Sequence, residues 1–235
     1  MNKLPISTLY KDKTILVTGG AGAIGSNLSR ALAQTGAAKV IILDDLSASY
    51  EWNIPNLPNV LFVKGSITND TDLKRVFHEK PDYIFHLAAF FANQNSVDYP
   101  EKDLMVSQLG TIKMLEHAVL QSGIKRFVYA GSGCAIYGAQ APLPLKEEFM
   151  SMHLTTPYQI SKMAGELYCN FYWHHYGLPV VKTRFFNSYG PGEVPGQYRN
   201  VIPNFIYSSL CKSLNHYLSS SLYDIIWFAA GNQAY

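Results

Sequence analysis

Short apolar runs alternate with longer amphipathic stretches over most of the chain. Six apolar runs predict buried β-strands: Thr14–Thr18, Lys39–Leu43, Val60–Val63, Tyr83–Leu87, Arg126–Ala130 and Val180–Phe185. The stretches between them predict four helices: Ala23–Thr35, Asp70–Glu79, Glu101–Gln121 and Pro157–Tyr176. Because single strands that alternate with helices are typical of a parallel sheet with helices on both faces, the pattern predicts an α/β fold with a doubly wound sheet.

The predicted helix Glu101–Gln121 carries apolar residues on roughly one face: Leu104, Leu115, Ala118 and Val119. That spacing indicates one buried side, and Gly123 is placed to end the helix. After Asn200 the pattern changes, and neither a helical nor a strand period is clear as far as Tyr235. No element is predicted for that stretch.

Length and composition narrow the class of protein. The 235 residues correspond to about one and a half domains, and the 48% hydrophobic content is enough for a sizeable core, which excludes a disordered chain. The net charge of +2 gives no reason to expect nucleic-acid binding. Cys134, Cys169 and Cys211 lack the spacing of metal ligands, so we expect free thiols, no metal site and a cytoplasmic location. No apolar run is long enough for a membrane span or a signal peptide.

Three glycines follow the first predicted strand at intervals of three residues. Gly19 would permit a tight turn, Gly22 the close approach of a pyrophosphate, and Gly25 close packing of the following helix. Ala23 and Ile24 open that helix, whose free N–H groups suit an anion. A tight strand-to-helix turn also needs glycine when it binds nothing, but the flanking strand and helix favour dinucleotide binding.

An acidic residue follows at the end of the second strand. Asp44 comes 19 residues after Gly25, where a carboxylate can accept hydrogen bonds from the ribose hydroxyls of adenosine. After Lys39 the next basic residue is Lys64, so nothing nearby in the sequence would neutralise a 2′-phosphate. This favours NAD over NADP.

Tyr158 and Lys162 form a Tyr-x-x-x-Lys unit near the start of the last long helix. Positions i and i+4 share one helical face, so the ammonium would lower the pKa of the phenol from about 10 towards neutrality. Tyr158 could then remove a hydroxyl proton while hydride leaves the same carbon. Such a pair is common on protein surfaces and becomes specific only together with the glycine turn.

At this point the sequence resembles the extended short-chain dehydrogenase/reductase family, in its nucleotide-sugar epimerase/dehydratase branch. The matching stretches are Thr18–Gly25, Asp44-Asp45-Leu46, His86–Ala89, Tyr137-Gly138, Tyr158–Lys162 and Arg184–Gly192. They cover about residues 13 to 205 in the order that the family has. The resemblance implies a Rossmann-type domain, tightly held NAD and chemistry at C4 of a sugar.

The resemblance also implies the roles of individual residues. It implies cofactor contacts from Gly19, Gly22, Ala23, Ile24, Gly25, Asp44, Asp45, Ser66, Ile67, Leu87, Ala88, Ala89, Tyr158 and Lys162. Asn187 would bind the pyrophosphate region of the nucleotide-sugar substrate. Ser66 and Ser107 stand where the family often has Asp and Asn. His86 fits both the nicotinamide side of the site and a hydrogen-bonded histidine at the end of a strand.

The chain departs from the family at the third catalytic position. The family has Ser or Thr four residues before the tyrosine of Tyr137-Gly138, and this chain has Gly133 there. Ser132, one residue earlier and flanked by glycines, is the candidate for catalysis and substrate binding. A turn serine at the end of a strand is an equally good interpretation.

A second departure bears on the reaction. Dehydratases of the family follow that Ser or Thr with Asp-Glu, and Cys134 and Ala135 occupy those places here. The sequence therefore favours an NAD-dependent epimerase that works through a 4-keto sugar, with Tyr158 as base and NAD as hydride acceptor and donor. The alternatives are an NAD-binding remnant without turnover, and a dehydratase or oxidoreductase of the same family.

The resemblance also predicts how the chain is organised. Residues 1–190 would form the NAD-binding domain and residues 191–235 a partial or aberrant start of the substrate-binding lobe, which makes that lobe incomplete. Our hypothesis is a truncated product, with a tail that is frame-shifted or otherwise unrelated. The family also pairs the two long helices across a homodimer as a four-helix bundle, and Phe171, Tyr172 and Trp173 would serve that contact or the core.

Overall fold

The computed structural model of the chain describes residues 6–91 and 93–211. Its six strands are β1 Thr14–Thr18, β2 Lys39–Asp44, β3 Val60–Lys64, β4 Tyr83–His86, β5 Arg126–Ser132 and β6 Val180–Phe185. They form one parallel sheet in the order β3-β2-β1-β4-β5-β6. This is the strand order of a Rossmann-type fold, so the predicted doubly wound sheet is confirmed.

Nine α-helices are assigned within the described residues: α1 Ile6–Leu9, α2 Ala23–Gln34, α3 Asp70–His78, α4 Asn93–Asp98, α5 Pro100–Asp103, α6 Gly110–Gln121, α7 Gly133–Tyr137, α8 Pro157–Tyr176 and α9 Val201–Leu210. A 3₁₀ turn at Glu51–Asn53 and a π-helical segment at Leu104–Leu109 complete the assignment. The helices predicted between the strands are therefore present, whereas α1, α4, α7 and α9 were not predicted.

Apolar residues on both faces of the sheet form the core. On one face, Leu16, Ile41 and Ile84 pack with residues of α3, α6 and α8. On the other face, Ile15 and Val17 pack with residues of α2. Because neighbouring residues of a strand point to opposite faces, continuous apolar strands such as β1 supply both layers.

The predicted single helix Glu101–Gln121 is a run of three segments in the structure. α5 is followed by the π-helical segment and then by α6. Leu115 and Ala118 are buried as predicted, but Leu104 is 51% exposed, so its placement on the buried face was wrong. An i→i+5 turn holds roughly one more residue than an α-turn, which rotates the residues before it by about 100° relative to those after it.

The aromatic residues near the end of α8 divide between core and surface. Tyr172 is 6% exposed and belongs to the core cluster, whereas Phe171 and Trp173 are about half exposed. At the C-terminal side, the expectation that no regular element follows Asn200 was wrong for α9, and residues 212–235 lie outside the described part. Among the described residues, no helix has the length and apolarity needed to cross a bilayer.

Candidate active site

The glycine-rich turn lies at the carboxyl edge of the sheet, between β1 and α2. Gly19 has a φ of +68°, which favours glycine, and a Cβ added there would lie 2.8 Å from the backbone nitrogen of Ala88. A Cβ on Gly25 would lie 2.2 Å from the carbonyl oxygen of Gly19. These two glycines therefore let the turn approach the 87–89 loop on one side and the start of α2 on the other.

The N-terminus of α2 opens beside this turn. Gly22 is the N-cap residue and makes no side-chain cap, and the first turn, which includes Ala23 and Ile24, has no acidic residue. The N–H groups there carry the positive end of the helix dipole. Both features fit the pyrophosphate of a dinucleotide.

Asp44, at the end of β2, is hydrogen-bonded to the glycine-rich turn. Its carboxylate is nearly buried and accepts hydrogen bonds from the Ala21 N–H at 2.9 Å, the Leu46 N–H at 2.9 Å and the Ser49 hydroxyl at 2.7 Å. A carboxylate has about four acceptor positions, so one remains for a ribose hydroxyl. Asp45, by contrast, is exposed.

Ser66 and Ile67 follow β3 at the same edge of the sheet. The Ser66 hydroxyl lies 2.9 Å from the hydroxyl of Thr68, and its N–H donates to Asp72 at 2.9 Å. Ile67 is buried against Gly110, where an added Cβ would lie 2.5 Å from the isoleucine side chain. In the structure, Ser66 therefore lies in a turn and Ile67 lies in the core.

The loop Leu87–Ala89 runs along the glycine turn and is fastened to β1. The N–H of Leu87 donates to the carbonyl oxygen of Thr18 at 3.1 Å, and the N–H of Ala88 donates to the Thr18 hydroxyl at 3.3 Å. The position of this backbone, including partly buried Ala89, therefore depends on Thr18.

His86 supports this loop as a neutral imidazole. Its Nδ1 lies 2.7 Å from the Thr18 hydroxyl and its Nε2 lies 3.0 Å from the Thr111 hydroxyl. Because Thr111 donates to the carbonyl of Ser107 at 2.7 Å, its oxygen accepts from Nε2–H, which leaves Thr18 to donate to Nδ1. Burial lowers the pKa of His86 to about 3, with the charge of Lys162 as the smaller cause.

Tyr158 and Lys162 share one face of α8, and Ser132 reaches them from the end of β5. Lys162 is 5% exposed, and its ammonium donates to the carbonyl of Ala130 at 2.8 Å and lies 5.8 Å from the centre of the Tyr158 ring. Burial lowers the pKa of Lys162 to about 8. Ser132 is close enough to Tyr158 to lower the pKa of the phenol by hydrogen bonding. The structure thus brings the three residues together.

The pKa of Tyr158 is raised, which contradicts the shift towards neutrality expected from the Tyr-x-x-x-Lys pair. Burial is the main cause, the Cys134 thiol adds to it, and the hydrogen bond from Ser132 opposes it. The Lys162 ammonium points to the carbonyl of Ala130 and to the ring face, so it does not offset the burial of the phenol oxygen.

The ring of Phe186 lies against Gly133. A Cβ added to Gly133 would lie 2.5–2.7 Å from atoms of this exposed ring, so a side chain at position 133 would require the ring to move. Ser132 is buried, and its Oγ lies 3.1 Å from the Sγ of Cys134. In this chain the hydroxyl beside Tyr158 therefore comes from position 132. Asn187 lies exposed at the same edge, two residues beyond β6.

Two features of this edge were missed in the sequence. Buried Asn53 donates to the carbonyls of Ala21 at 3.1 Å and Gly192 at 2.9 Å, which ties the segment after β6 to the glycine turn. Buried Glu166 and partly buried Arg184 form an ion pair with two hydrogen bonds, at 3.0 and 3.1 Å, which joins α8 to β6. No local pattern identifies either feature, because the partners are distant in sequence.

Cys134, Cys169 and Cys211 are free thiols in the structure. Over residues 6–91 and 93–211, no group of three or more His, Cys, Asp or Glu side chains is arranged to hold a metal ion.

Comparison with known proteins identifies relatives. Residues 15–224 match the model of the NAD-dependent epimerase/dehydratase family. A UDP-glucose 4-epimerase of Mycolicibacterium smegmatis is 38% identical over 194 residues, which are 81% of this chain and 61% of that protein.

Two solved structures share the fold. The structure of an epimerase from the methanogen Methanothermobacter thermautotrophicus matches with a TM-score of 0.85 and 59% identity, over 87% of this chain and 60% of that one. The UDP-glucose 4-epimerase of Thermotoga maritima, solved with UDP-glucose, matches with a TM-score of 0.79 and 35% identity, over 84% and 63%. The chain thus spans about 60% of the length of these relatives.

Proposed function

The chain belongs to the NAD-dependent epimerase/dehydratase family, and on that basis we propose that it is a nucleotide-sugar epimerase that acts at C4 of the sugar through a transient 4-keto intermediate. The observation that carries the proposal is the convergence of Ser132, Tyr158 and Lys162 at the carboxyl edge of the sheet, where small ligands bind in folds of this type.

The same edge offers the contacts that a dinucleotide requires. Gly22 and the first turn of α2 would hold the pyrophosphate, Asp44 a ribose hydroxyl, and the Leu87–Ala89 loop the nicotinamide side. NAD, when bound, supplies the acceptor and donor of the hydride, and its positively charged nicotinamide stabilises a nearby phenolate.

The residues of the chain account for the proton transfers. Tyr158 removes the proton of the C4 hydroxyl and returns it after the 4-keto sugar has turned its other face. A hydrogen bond from Ser132, which lowers the pKa of Tyr158, would stabilise the phenolate. Lys162, held at the carbonyl of Ala130, places a positive charge against the face of the phenol ring. Because Lys162 does not offset the raised pKa of the buried phenol, the positive charge of a bound nicotinamide would also be needed to make Tyr158 a base at neutral pH.

The positions after Ser132 favour epimerisation over dehydration. Elimination of water requires an acid and a base beside the sugar, and Cys134 and Ala135 occupy the positions where dehydratases of the family carry Asp and Glu. Asn187 and the neighbouring backbone at the end of β6 are our candidates for the nucleotide pyrophosphate. Residues 1–190 would form the cofactor domain and the segment from 191 the start of the substrate-binding part.

Conversion of sugar nucleotides by the purified full chain tests this function. Incubated with NAD and with UDP-glucose or UDP-N-acetylglucosamine, the chain should yield the C4 epimer by chromatography and NMR, without net NADH. Tyr158→Phe should lower the rate by roughly 10²–10⁴-fold, whereas the control Tyr99→Phe, on a tyrosine that is 46% exposed, should not.

Three results would contradict the epimerase assignment. Bound NAD without conversion of any nucleotide sugar in a wider panel would support a remnant without turnover. Release of NADH with a keto product would indicate an oxidoreductase, and a 4-keto-6-deoxy product would indicate a dehydratase.

A further inference from the structure

A buried carboxylate lies behind the Tyr158–Lys162 pair. Asp103, the last residue of α5, is fully buried. Its Oδ2 accepts from the Ser161 hydroxyl at 2.5 Å and its Oδ1 accepts from the Ser107 hydroxyl at 3.0 Å. Both partners are uncharged, and burial raises the pKa of Asp103 while these two bonds and Lys162 lower it. A buried carboxylate at this place costs free energy unless a nearby charge offsets it.

Lys162 is likewise a buried charge with an uncharged partner. Its ammonium donates its hydrogen bond to the carbonyl of Ala130. Burial lowers its pKa to about 8, and the group that most opposes this is Asp103, followed by Cys134. Ser161 directly precedes Lys162 in α8, so the hydrogen bond from Ser161 holds the carboxylate against the turn of α8 that carries Lys162.

Of the other titratable groups near Lys162, Cys134 contributes less than Asp103, and the rest do not supply the missing charge. The Lys162 ammonium lies 5.4 Å from the ring centre of Tyr129 on β5, whose pKa burial raises, and 5.8 Å from that of Tyr158 on its own helix. His86 on β4 is neutral at physiological pH, because its pKa is about 3. Glu166, one turn further along α8, is paired with Arg184.

We propose that Asp103 is a positioning residue of this site: its buried carboxylate is the counter-charge that keeps the Lys162 ammonium protonated beside Tyr158. The role in catalysis rests on the function proposed above, whereas the charge pairing itself does not. The π-helical segment is part of this arrangement, because it starts at the residue after Asp103 and contains Ser107, the second serine on the carboxylate.

The same serine connects Asp103 to the loop that would face the nicotinamide. The Ser107 hydroxyl accepts from the Phe90 N–H at 3.1 Å, and the Ser107 carbonyl accepts from Thr111, which in turn accepts from His86. One continuous set of hydrogen bonds thus runs from the 87–90 loop to the carboxylate. Position 107, where the family often has Asn, is therefore a hydroxyl donor to Asp103 in this chain.

Titration of Lys162 measures the charge pairing directly. In the full chain with ¹³Cε-labelled lysine, the Lys162 signal, assigned by its loss in Lys162→Met, should titrate near pH 8 in the wild type. In Asp103→Asn the midpoint should move to a pH lower by about one, because an opposite charge is lost from the neighbourhood of the ammonium. Asp103→Glu keeps the charge and should restore most of the difference.

Glu101→Gln is the matched control, because Glu101 is an exposed acid in the same helical turn. It should leave the Lys162 titration unchanged. An unchanged midpoint in folded Asp103→Asn would overturn the proposal. If that variant does not fold, the reciprocal measurement decides: loss of the ammonium in Lys162→Met should raise the pKa of the Asp103 carboxyl in ¹³C spectra, and no rise would refute the pairing.

The pH profile of turnover then links the pairing to the reaction. Because Lys162 loses its proton at lower pH in Asp103→Asn, the alkaline limb of the profile should shift to lower pH by the same amount. A changed titration with no epimerase activity in the wild type would leave the pairing intact and reject only the proposed function. A changed titration with an unshifted profile would reject the catalytic part of the role.

Discussion

The surroundings of His86 move its pKa far from the ordinary value of a histidine. The imidazole is fully enclosed between Thr18 and Thr111, and both ring nitrogens are in hydrogen bonds that fix the neutral tautomer. Its pKa is about 3 in the folded chain against about 6.5 for an exposed histidine, with burial as the main cause. Between these two values the unfolded chain binds a proton that the folded chain does not, so folding becomes less favourable as the pH falls.

We therefore expect the free energy of unfolding of His86→Gln to fall less steeply than that of the wild type as the pH is lowered. Between pH 6.5 and 4 the wild type should lose on the order of 3 kcal/mol of its free energy of unfolding through this residue. The variant, although less stable at pH 7, should lack that component in urea titrations across the range. His78→Gln, a change at an exposed histidine at the end of α3, is the control. Parallel curves for wild type and His86→Gln would show that His86 is not the responsible group.

At the residue level, sequence motifs identified the residues of the site but not the residues that support them. The glycine turn, Tyr158 and Lys162 were recognisable from spacing, and the structure brings them to one edge. Asp103 was not recognisable, because a single acid in an amphipathic helix is normally solvated and its burial follows from packing. Ser132 was ambiguous until Phe186 was seen to fill the space beside Gly133.

At the level of elements, strands were predictable and short helices were not. The six strands lie within one or two residues of their predicted bounds, because all except β6 are largely apolar runs. α4 and α7 depend on distant contacts, such as the Tyr158 N–H that donates to the Ser96 hydroxyl at 3.0 Å. The prediction assumed a regular period of 3.6 residues, which does not reveal a π-helical segment. For this reason Leu104 was placed on the wrong face.

The start of α8 shows how such an element is fixed. Thr156 is its N-cap: the hydroxyl accepts from the Gln159 N–H at 3.3 Å and donates to the Asn93 side chain at 3.0 Å. We expect Thr156→Ala to lower the free energy of unfolding by about 1 kcal/mol, as loss of a helix cap commonly does. Thr156→Ser, which keeps the hydroxyl, should stay close to the wild type in the same denaturant titrations. Equal losses in both variants would mean that the methyl group, and not the cap, is what matters.

For the whole molecule, the most informative feature is an apolar stripe that the described fold leaves exposed. Ile160, Leu167 and Phe171 are each about half exposed and recur on one face of α8 at helical spacing. Leu104 and Met105, turned outwards by the π-helical segment, are exposed to a similar degree on the helical run that packs beside α8. A contiguous apolar surface of this kind is typical of a protein–protein contact.

We expect a second copy of the chain to cover this stripe, with α8 and the adjacent helical run of each copy forming a four-helix bundle. Sedimentation velocity at micromolar concentration should give a dimer for the wild type and a monomer for Leu167→Glu, because a carboxylate buried in an apolar contact is strongly unfavourable. Met152→Glu, at an 87% exposed position in the loop before α8, should remain dimeric. A wild type that stays monomeric, or a Leu167→Glu variant that stays dimeric, would contradict this surface as the interface.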